Sequence, residues 1–349
     1  MAAAVHLVDP QALAGWARGR LPGDGPLEVT ALGEGHSNLT FLVRRGERSW
    51  VLRRPPAGPL LPTAHDVVRE FRVLSLLAGT PVRVPTVVDV CEDLDVLGVP
   101  FYLMERADGE VVRDRLPDWL AADVAAQRAL ALDLVDALVE IHRADWRPFV
   151  DAGIGRPAGY LERQLRRWVG QREGIQAAVA AAGGTARELP DYDAVRDWLR
   201  DHLPAEVEPA LVHGDFKLDN VIVARAGGQP RITAVVDWEM ATVGDPRADL
   251  GYLLLFWPEL GESFPLGELA VNGPGFPARE ELVARWAVGT GRDAGETRWF
   301  VTLAVWKLAV LLEASYHRWL AGMADDPFFA TLDEGVPALL ARAREVSGA

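Results

Sequence analysis

Alternation of apolar and polar residues runs through the first hundred residues of the chain, and helical periodicity replaces it afterwards. Successive side chains of a strand point to opposite faces, so a period of two bounded by turn residues predicts strands. The strand-like runs are, in chain order, 27–35, 37–45, 49–56, 86–92 and 99–106. Between the third and fourth runs, apolar residues from Val67 to Leu77 recur at helical spacing. Thr63 with Asp66 resembles a capping box, so this helix is predicted to begin near Thr63.

Helical periodicity dominates from Leu116 onward. Helical stretches are predicted over 121–146, 159–203 and 298–320. Short apolar runs of strand character interrupt this pattern at 211–223 and 232–240. The change from a sheet pattern to a helical pattern predicts two domains, an N-terminal lobe over 1–106 and a C-terminal lobe over 107–349.

Composition narrows the classes of function. The 349 residues are 49% hydrophobic and 25% charged, which is typical of a globular chain. A formal net charge of −14 argues against a nucleic-acid partner and against a surface that binds an anionic membrane. Cys91 is the one cysteine, so the chain has no internal disulfide. Without a secretory leader or an apolar run of roughly 18 residues, the chain is expected to be cytoplasmic, with no membrane span.

The segment LVHGDFKLDNVIV places polar residues between two apolar runs. Asp215 and Asn220 are five residues apart in a predicted tight loop, so they can converge on one small volume. The carboxylate can accept a proton from a hydroxyl group, and the amide oxygen can bind a hard cation. Lys217 can lie against a phosphoryl group during its transfer. His213 and Asp219 are interpreted as residues that hold the loop by hydrogen bonds.

Three other pieces of the chain carry candidate polar groups. Gly33 and Gly35 lie in a turn between two predicted strands, where the lack of a Cβ lets backbone N–H groups approach a phosphate. The same turn also fits an ordinary hairpin. Arg53 lies within a strand among apolar residues, and Glu70 in the following helix can pair with it, unless both face water. Asp237 closes a strand of β-branched residues and can supply a second Mg²⁺ ligand.

A glycine-rich hairpin, a strand cation, a helix glutamate, an Asp-x4-Asn loop and a strand-end aspartate are, in that order, the parts of a kinase-like phosphotransferase. The chain resembles the aminoglycoside phosphotransferase/choline kinase-like family, within the protein-kinase-like fold. HGDFKLDN matches that family's catalytic loop, and VVDWEMATVGDPRADLGYLL matches its metal-binding segment. The resemblance covers roughly residues 25–325. GEGHSNLTFLVRR, WVLRRPP, FYLMERADGEVV and YLERQLRRW are similar to the branch that includes the kinase-like domain of certain acyl-CoA dehydrogenase fusion proteins.

The resemblance implies a two-lobed α+β fold. The N-lobe would be a small antiparallel sheet with one main helix that binds the nucleotide, and the larger, mostly helical C-lobe would carry catalysis and bind the acceptor. It also implies Mg²⁺-dependent transfer of the γ-phosphoryl group of ATP or GTP to a hydroxyl group of a small molecule.

The resemblance further implies roles for particular residues. Asp215 would be the catalytic base that orients the acceptor hydroxyl group. Asn220 and Asp237 would be the Mg²⁺ ligands. Glu105 and Arg106 would present backbone groups to the adenine ring.

The loop 33–38, which contains Ser37 and Asn38, would cover the nucleotide phosphates as the family's loop does.

One position departs from the family's pattern. Arg53, however, stands where a strand lysine is usual. Arginine can pair with Glu70 and donate to a phosphate, but its planar fork is not interchangeable with an ammonium group.

The acceptor is predicted to be small. Only eleven residues, 238–248, separate Asp237 from Asp249, and they contain no Ala-Pro-Glu, so the platform of a protein kinase has no room. An aminoglycoside is compatible with the net charge of −14. An anionic acceptor such as a hydroxyacyl-CoA is an alternative, because three arginines lie nearly on one helical face, although they can also form a solvated face bridged to acids. These arginines are Arg163, Arg166 and Arg167.

Two other functions fit parts of the pattern. A nucleotide-binding pseudokinase that acts as a scaffold or sensor is the main alternative, and Arg53 is the feature that favours it. Against it, Asp215, Asn220 and Asp237 are all present. A metal hydrolase built on His213 lacks a second histidine cluster at ligand spacing.

Overall fold

The computed structural model describes residues 7–32, 38–56, 66–259, 261–324 and 326–349. The described strands are β1 (Glu28–Ala31), β2 (Leu39–Arg45), β3 (Arg48–Arg54), β4 (Val87–Cys91), β5 (Phe101–Glu105), β6 (Glu110–Val111), β7 (Ala210–Val212), β8 (Val221–Ala226), β9 (Gln229–Val235) and β10 (Thr242–Gly244). The described α-helices are α1 (Pro10–Trp16), α2 (Val67–Leu77), α3 (Leu94–Leu97), α4 (Asp118–Ala121), α5 (Val124–Arg143), α6 (Arg147–Asp151), α7 (Tyr160–Ala181), α8 (Tyr192–Asp201), α9 (Arg247–Leu255), α10 (Arg279–Thr290), α11 (Thr297–Leu320) and α12 (Leu332–Ser347). Short 3-10 helices cover Leu218–Asn220, Trp238–Met240 and Pro327–Thr331.

Packing divides the chain into two compact units. The first unit comprises Met1–Glu110, Val221–Ala224 and Ile232–Ala241. The second unit comprises Val111–Asn220, Arg225–Arg231 and Thr242–Ala349. The predicted functional division, with nucleotide binding in 1–106 and catalysis in 107–349, stays a prediction because packing alone defines these units.

The first unit is built on an antiparallel sheet in the order β1-β2-β3-β5-β4. Gly46, in the left-handed region, opens the two-residue turn that joins β2 to β3. Alternation along β3 sends Trp50 and Leu52 into a buried apolar cluster with Leu13 of α1. Because side chains alternate, Arg53 lies on the opposite face of the sheet.

Helix α2 follows β3, as the sequence predicts, but it begins later than expected. The Asp66 side chain accepts a hydrogen bond from the backbone N–H of Arg69, so Asp66 itself is the N-cap and the helix begins at Val67. Thr63 lies outside the described residues. The predicted role of Asp66 at the third helical position is therefore wrong.

Helices make up most of the second unit, and α11 contains a long continuous run of buried residues. Residues 302–310 of α11 are all buried, which explains why apolar residues occur around the whole helix rather than on one stripe. By length and mean hydropathy alone, α11 could cross a membrane, but 72% of its most apolar window is buried within the protein. Strand β7 pairs with β10 through Leu211 and Val243, and this short ladder holds the start of the HGDFKLDN loop.

Candidate active site

A buried ion pair connects the central strand of the first unit to α2. Arg53 Nε donates to Glu70 Oε2 at 3.1 Å, and Arg53 Nη2 donates to Asp237 Oδ1 at 3.2 Å. The predicted pairing of Arg53 with Glu70 is therefore confirmed, and the contact with Asp237 is an addition. Burial lowers the pKa of Arg53, but the carboxylates of Glu70 and Asp237 outweigh it and hold the pKa above its ordinary value. The guanidinium group stays charged.

Glu70 also fixes the backbone beside Asp237. Its Oε1 accepts a hydrogen bond from the N–H of Trp238 at 3.1 Å. Asp237 itself has a φ of 66°, in the left-handed region, two residues after the end of β9. Its side chain is 27% exposed, so the carboxylate is accessible while its backbone is fixed.

Asn38, the described residue of the predicted phosphate loop, contacts the same segment. Its Nδ2 donates to Glu239 Oε2 at 3.3 Å, and the Asn38 side chain is buried. Arg69 donates to the backbone carbonyl of Glu239 at 3.0 Å. Glu239 and Arg69 were not singled out from the sequence, although Glu239 stands two residues from Asp237. Gly33, Gly35 and Ser37 lie outside the described residues, so their predicted contact with phosphate stays a prediction.

Glu105 and Arg106 lie at the end of β5, where both are exposed. The N–H of Glu105 donates to the carbonyl of Thr86 at 2.8 Å, so this donor is already engaged within the sheet. Contact of their other backbone groups with a nucleotide base stays a prediction.

The HGDFKLDN loop of the second unit brings Asp215 and Asn220 into contact. Asn220 Nδ2 donates to Asp215 Oδ2 and to the Asp215 carbonyl, both at 2.7 Å. The 3-10 helix Leu218–Asn220 turns the chain back and makes this approach possible. With Nδ2 engaged, the amide oxygen of Asn220 is the group left for a cation. The predicted convergence of these two residues is confirmed.

The carboxylate of Asp215 is ionised. Burial raises its pKa, but the ammonium groups of Lys217 and Lys307 and a hydrogen bond from Tyr252 outweigh burial, so the pKa lies below its ordinary value. Lys217 Nζ also lies 3.7 Å from Asp219 Oδ2. The sequence predicted a role for Lys217 but not for Lys307 or Tyr252, which approach Asp215 from distant helices.

Asp249 braces the HGDFKLDN loop. The backbone N–H groups of His213 and Gly214 donate to its two oxygens at 2.6 and 2.8 Å. Trp286 Nε1 donates to His142 Nδ1 at 2.8 Å, so His142 carries its proton on Nε2, which faces Asp249 at 3.3 Å. These bonds hold the HGDFKLDN loop by a buried polar network.

The side chains of Asp237 and Asn220 each have the oxygen chemistry that Mg²⁺ prefers. Among the described residues, no group of three or more His, Cys, Asp or Glu side chains could hold a metal by itself. Mg²⁺ takes few protein ligands and fills the rest of its shell with water and phosphate oxygens. Asp237 in the first unit has an accessible carboxylate, and Asn220 in the second unit has an amide oxygen, so each has the chemistry of a Mg²⁺ ligand. Their joint binding of one ion stays a prediction.

A basic groove of about 870 Å³ lies on the second unit. Its lining includes Arg156, Arg163, Arg166, Arg167 and Gln164. Arg163 donates to the carbonyls of Arg156 and Ala158, and Arg166 Nη1 lies 3.5 Å from Glu162. The three helical arginines line the same groove, as their predicted common face requires, and the Arg166–Glu162 contact is the bridge to an acid that the alternative, a solvated face, expects.

Comparison with known proteins agrees with this geometry. The model of the phosphotransferase enzyme family matches residues 28–282. The chain is 34% identical to acyl-CoA dehydrogenase family member 11 of Mus musculus over 330 aligned residues. The aligned region covers 91% of this chain and 40% of that protein. The chain spans 27% to 40% of the length of the acyl-CoA dehydrogenase family members that it matches.

Solved structures share the fold. A Ralstonia eutropha structure, provisionally assigned as an aminoglycoside phosphotransferase, has a TM-score of 0.78 and 27% identity, covering 97% of this chain and 98% of that one. The GDP complex of aminoglycoside 2′-phosphotransferase-IIIa has a TM-score of 0.63 and 20% identity, covering 97% of this chain and 99% of that one. The predicted two-lobed kinase-like fold and the predicted family resemblance are both confirmed.

Proposed function

The chain belongs to the phosphotransferase enzyme family, and on that premise we propose that it transfers the γ-phosphoryl group of ATP or GTP to a hydroxyl group of a small molecule. The observation that carries this proposal is the partly buried, ionised carboxylate of Asp215, which Asn220 holds in place. Such a group can take the proton of an alcohol in the transition state. One structural neighbour was solved as a GDP complex, so the proposed donor includes GTP as well as ATP.

Each residue has a definite part in the proposed reaction. Asp215 orients the acceptor hydroxyl group and takes its proton while the new oxygen–phosphorus bond forms and the bond to the β-phosphate oxygen breaks. Lys217 neutralises charge on the phosphoryl group during transfer, and Arg53 donates to the nucleotide phosphates. Mg²⁺, when bound, offsets the charge of the phosphates, and Asn220 and Asp237 are the residues that would hold it.

The direct test is removal of the base. Asp215→Asn keeps the shape of the side chain but cannot accept the proton, so we expect turnover to fall by about 10²- to 10⁴-fold. Nucleotide affinity, measured by calorimetry, should change little, and that measurement also shows that the variant is folded. Turnover near the wild-type rate would remove Asp215 from the mechanism.

The basic groove favours an anionic acceptor over a polycationic aminoglycoside. Four arginines line it, and they would repel an aminoglycoside while attracting phosphate or carboxylate groups, as on a hydroxyacyl-CoA. ADP or GDP release across hydroxyacyl-CoA esters, aminoglycosides and neutral polyols identifies the class. A preference for aminoglycosides would contradict the assignment.

The groove itself can be tested with single arginines. Arg166→Gln should raise KM for an anionic acceptor several-fold with little change in kcat, because the exposed guanidinium group attracts the acceptor rather than reacting with it. Arg200→Gln is the matched control, since Arg200 is an equally exposed arginine that pairs with acids on α8. Equal effects of the two variants would remove the groove from acceptor binding.

A nucleotide-binding pseudokinase is the second candidate, and one contact favours it. Arg53 already occupies Asp237 Oδ1 at 3.2 Å, which competes with a metal ion for that oxygen. A pseudokinase would bind nucleotide equally well with Mg²⁺ and with a chelator, and it would release no ADP or GDP with any acceptor. Mg²⁺-dependent turnover would reject this candidate.

A further inference from the structure

Both lysines of the chain act on the same carboxylate. Only two of the 36 lysines and arginines are lysines, Lys217 and Lys307. Each lowers the pKa of Asp215 by its positive charge. The other 34 of these residues are arginine, so the compact ammonium group occurs at these two places alone.

Lys307 reaches the loop from α11, far away in the sequence. Its Nζ donates to the carbonyl of Gly214, the residue immediately before Asp215. The N–H at the other end of the same peptide group, that of Asp215, donates to His213 Nδ1 at 3.2 Å. The Gly214–Asp215 peptide is therefore fixed at both its oxygen and its nitrogen.

The ammonium group of Lys307 is enclosed. The residue is 8% exposed, and its Nζ lies 4.5 Å from the ring centroid of Tyr252 and 5.6 Å from that of Trp168. Aromatic faces stabilise a cation that has lost its water. Tyr252 in turn donates to Asp215, so the ammonium group, the ring and the carboxylate form one contiguous cluster.

We infer that Lys307 is a positioning residue of the proposed reaction, whose buried ammonium group fixes the Gly214–Asp215 peptide and thereby the place of the Asp215 carboxylate. The inference rests on the proposed function for its catalytic meaning. Lys307 does not touch the reacting atoms; it acts through Asp215.

The charge of Lys307 depends on pH. Burial lowers its pKa to about 8, although the Asp215 and Asp249 carboxylates oppose this change. The ammonium group is therefore mostly charged at pH 7 and loses its proton as the pH rises through about 8. The titratable and charged groups that face it are Asp215, Asp249, Lys217, Arg167, Tyr252 and Tyr160.

The first test needs no acceptor. Protein labelled with ¹³C at the lysine Cε gives two lysine signals, which Lys217→Arg assigns. We expect the Lys307 signal to titrate near pH 8, and Asp215→Asn to lower that midpoint further because an opposing carboxylate is lost. An ordinary lysine midpoint, or no response to Asp215→Asn, would overturn the inference even if the protein proves to be an active kinase.

The second test measures nucleotide turnover with Mg²⁺–ATP. Lys307→Met should lower kcat by about 10- to 100-fold with KM for the nucleotide within about twofold, since the base is misplaced but the nucleotide site is intact. The wild-type decline of kcat above about pH 8 should be absent from Lys307→Met and from Lys307→Arg, and the arginine variant should recover part of the lost rate. An arginine variant no better than the methionine variant would show that the charge is irrelevant.

Tyr316→Phe is the matched control on the same helix. It removes the hydrogen bond from the Tyr316 hydroxyl group to Asp333 Oδ1 at 2.9 Å, away from Asp215. Its kcat and pH profile should match those of the wild type. The same kinetic changes in Tyr316→Phe would mean that any disturbance of α11 suffices, which would overturn a specific role for Lys307. Should the wild type show no turnover at all, the proposed function fails while the lysine titration still decides the coupling.

Discussion

At the scale of single residues, Asp237 has an unfavourable backbone conformation. Among the described residues, it and Asp191 are the non-glycine residues with positive φ. Such a conformation costs on the order of 1 kcal/mol or more and persists where surrounding contacts impose it. Here the bonds from Arg53 to the side chain and from Trp238 to Glu70 impose it. The result is an accessible carboxylate at a fixed place.

Removing that carboxylate gives a prediction at the same scale. Asp237→Ala should abolish the part of nucleotide affinity that depends on Mg²⁺ and leave metal-free affinity nearly unchanged, because Arg53 keeps its bond to Glu70. Calorimetric titrations with and without Mg²⁺ measure the difference. Asp237→Asn keeps the shape of the side chain and loses its charge. The Mg²⁺-dependent part of its nucleotide affinity should therefore lie between that of the wild type and that of Asp237→Ala. A variant with unchanged metal dependence would show that Asp237 is not a metal ligand.

At the scale of elements, the close packing of helices α9 and α11 depends on the absence of a side chain at Gly251. A Cβ on Gly251 would lie 2.5 Å from the backbone carbon of Phe300, closer than packed atoms can come. Backbone cannot move aside cheaply in a packed core. No larger residue therefore fits at this crossing without separating the two helices.

Gly251→Ala should accordingly destabilise the protein by about 1–3 kcal/mol, despite the better helix propensity of alanine. Gly170→Ala on α7 is the matched control, since nothing lies within 4 Å of its added Cβ. That variant should gain up to about 1 kcal/mol. Urea unfolding measures the free energy of unfolding of both variants. Equal values for Gly251→Ala and Gly170→Ala would mean that the α9–α11 crossing is not tight.

Sequence periodicity placed β1 to β5 and α2, but it missed α1 and α3 and did not fix every boundary. The strands around Arg53 and the helix carrying Glu70 follow from alternation and helical spacing, which are local signals. The start of α2 at Asp66 could not be decided in advance, because Thr63 and Asp66 are both good capping residues and tertiary packing selects one. The contact of Asp215 with Asn220 was predictable because five residues of loop allow few conformations.

Contacts between distant segments could not be predicted in this way. Lys307 lies 93 residues from Gly214, and in the sequence it looks like a single charge that interrupts an apolar helix. Nothing in the local pattern shows that α11 turns this side chain toward the HGDFKLDN loop. The same holds for Tyr252 and for the network of Trp286, His142 and Asp249.

The stability of the whole molecule should rise between pH 8 and about 10 through Lys307. Its pKa is about 8 when folded and 10.5 in the unfolded chain, so between these values the unfolded state binds more protons, and a higher pH favours folding. Relative to Lys307→Met, the wild type should gain about 2 kcal/mol from pH 7.5 to pH 9.5. Urea unfolding at the two pH values measures this. A constant difference between the two proteins would contradict the lowered pKa.

The scarcity of lysine has a practical consequence for chemical labelling. An amine-reactive dye can attach only to the chain's amino terminus, to Lys217 and to Lys307. Lys217 has a side chain 21% exposed, whereas Lys307 is enclosed by aromatic rings. Acylation of side-chain amines is thus directed at the HGDFKLDN loop, so a lysine-coupled fluorophore would be attached there, and coupling to a resin through lysine would cover that loop.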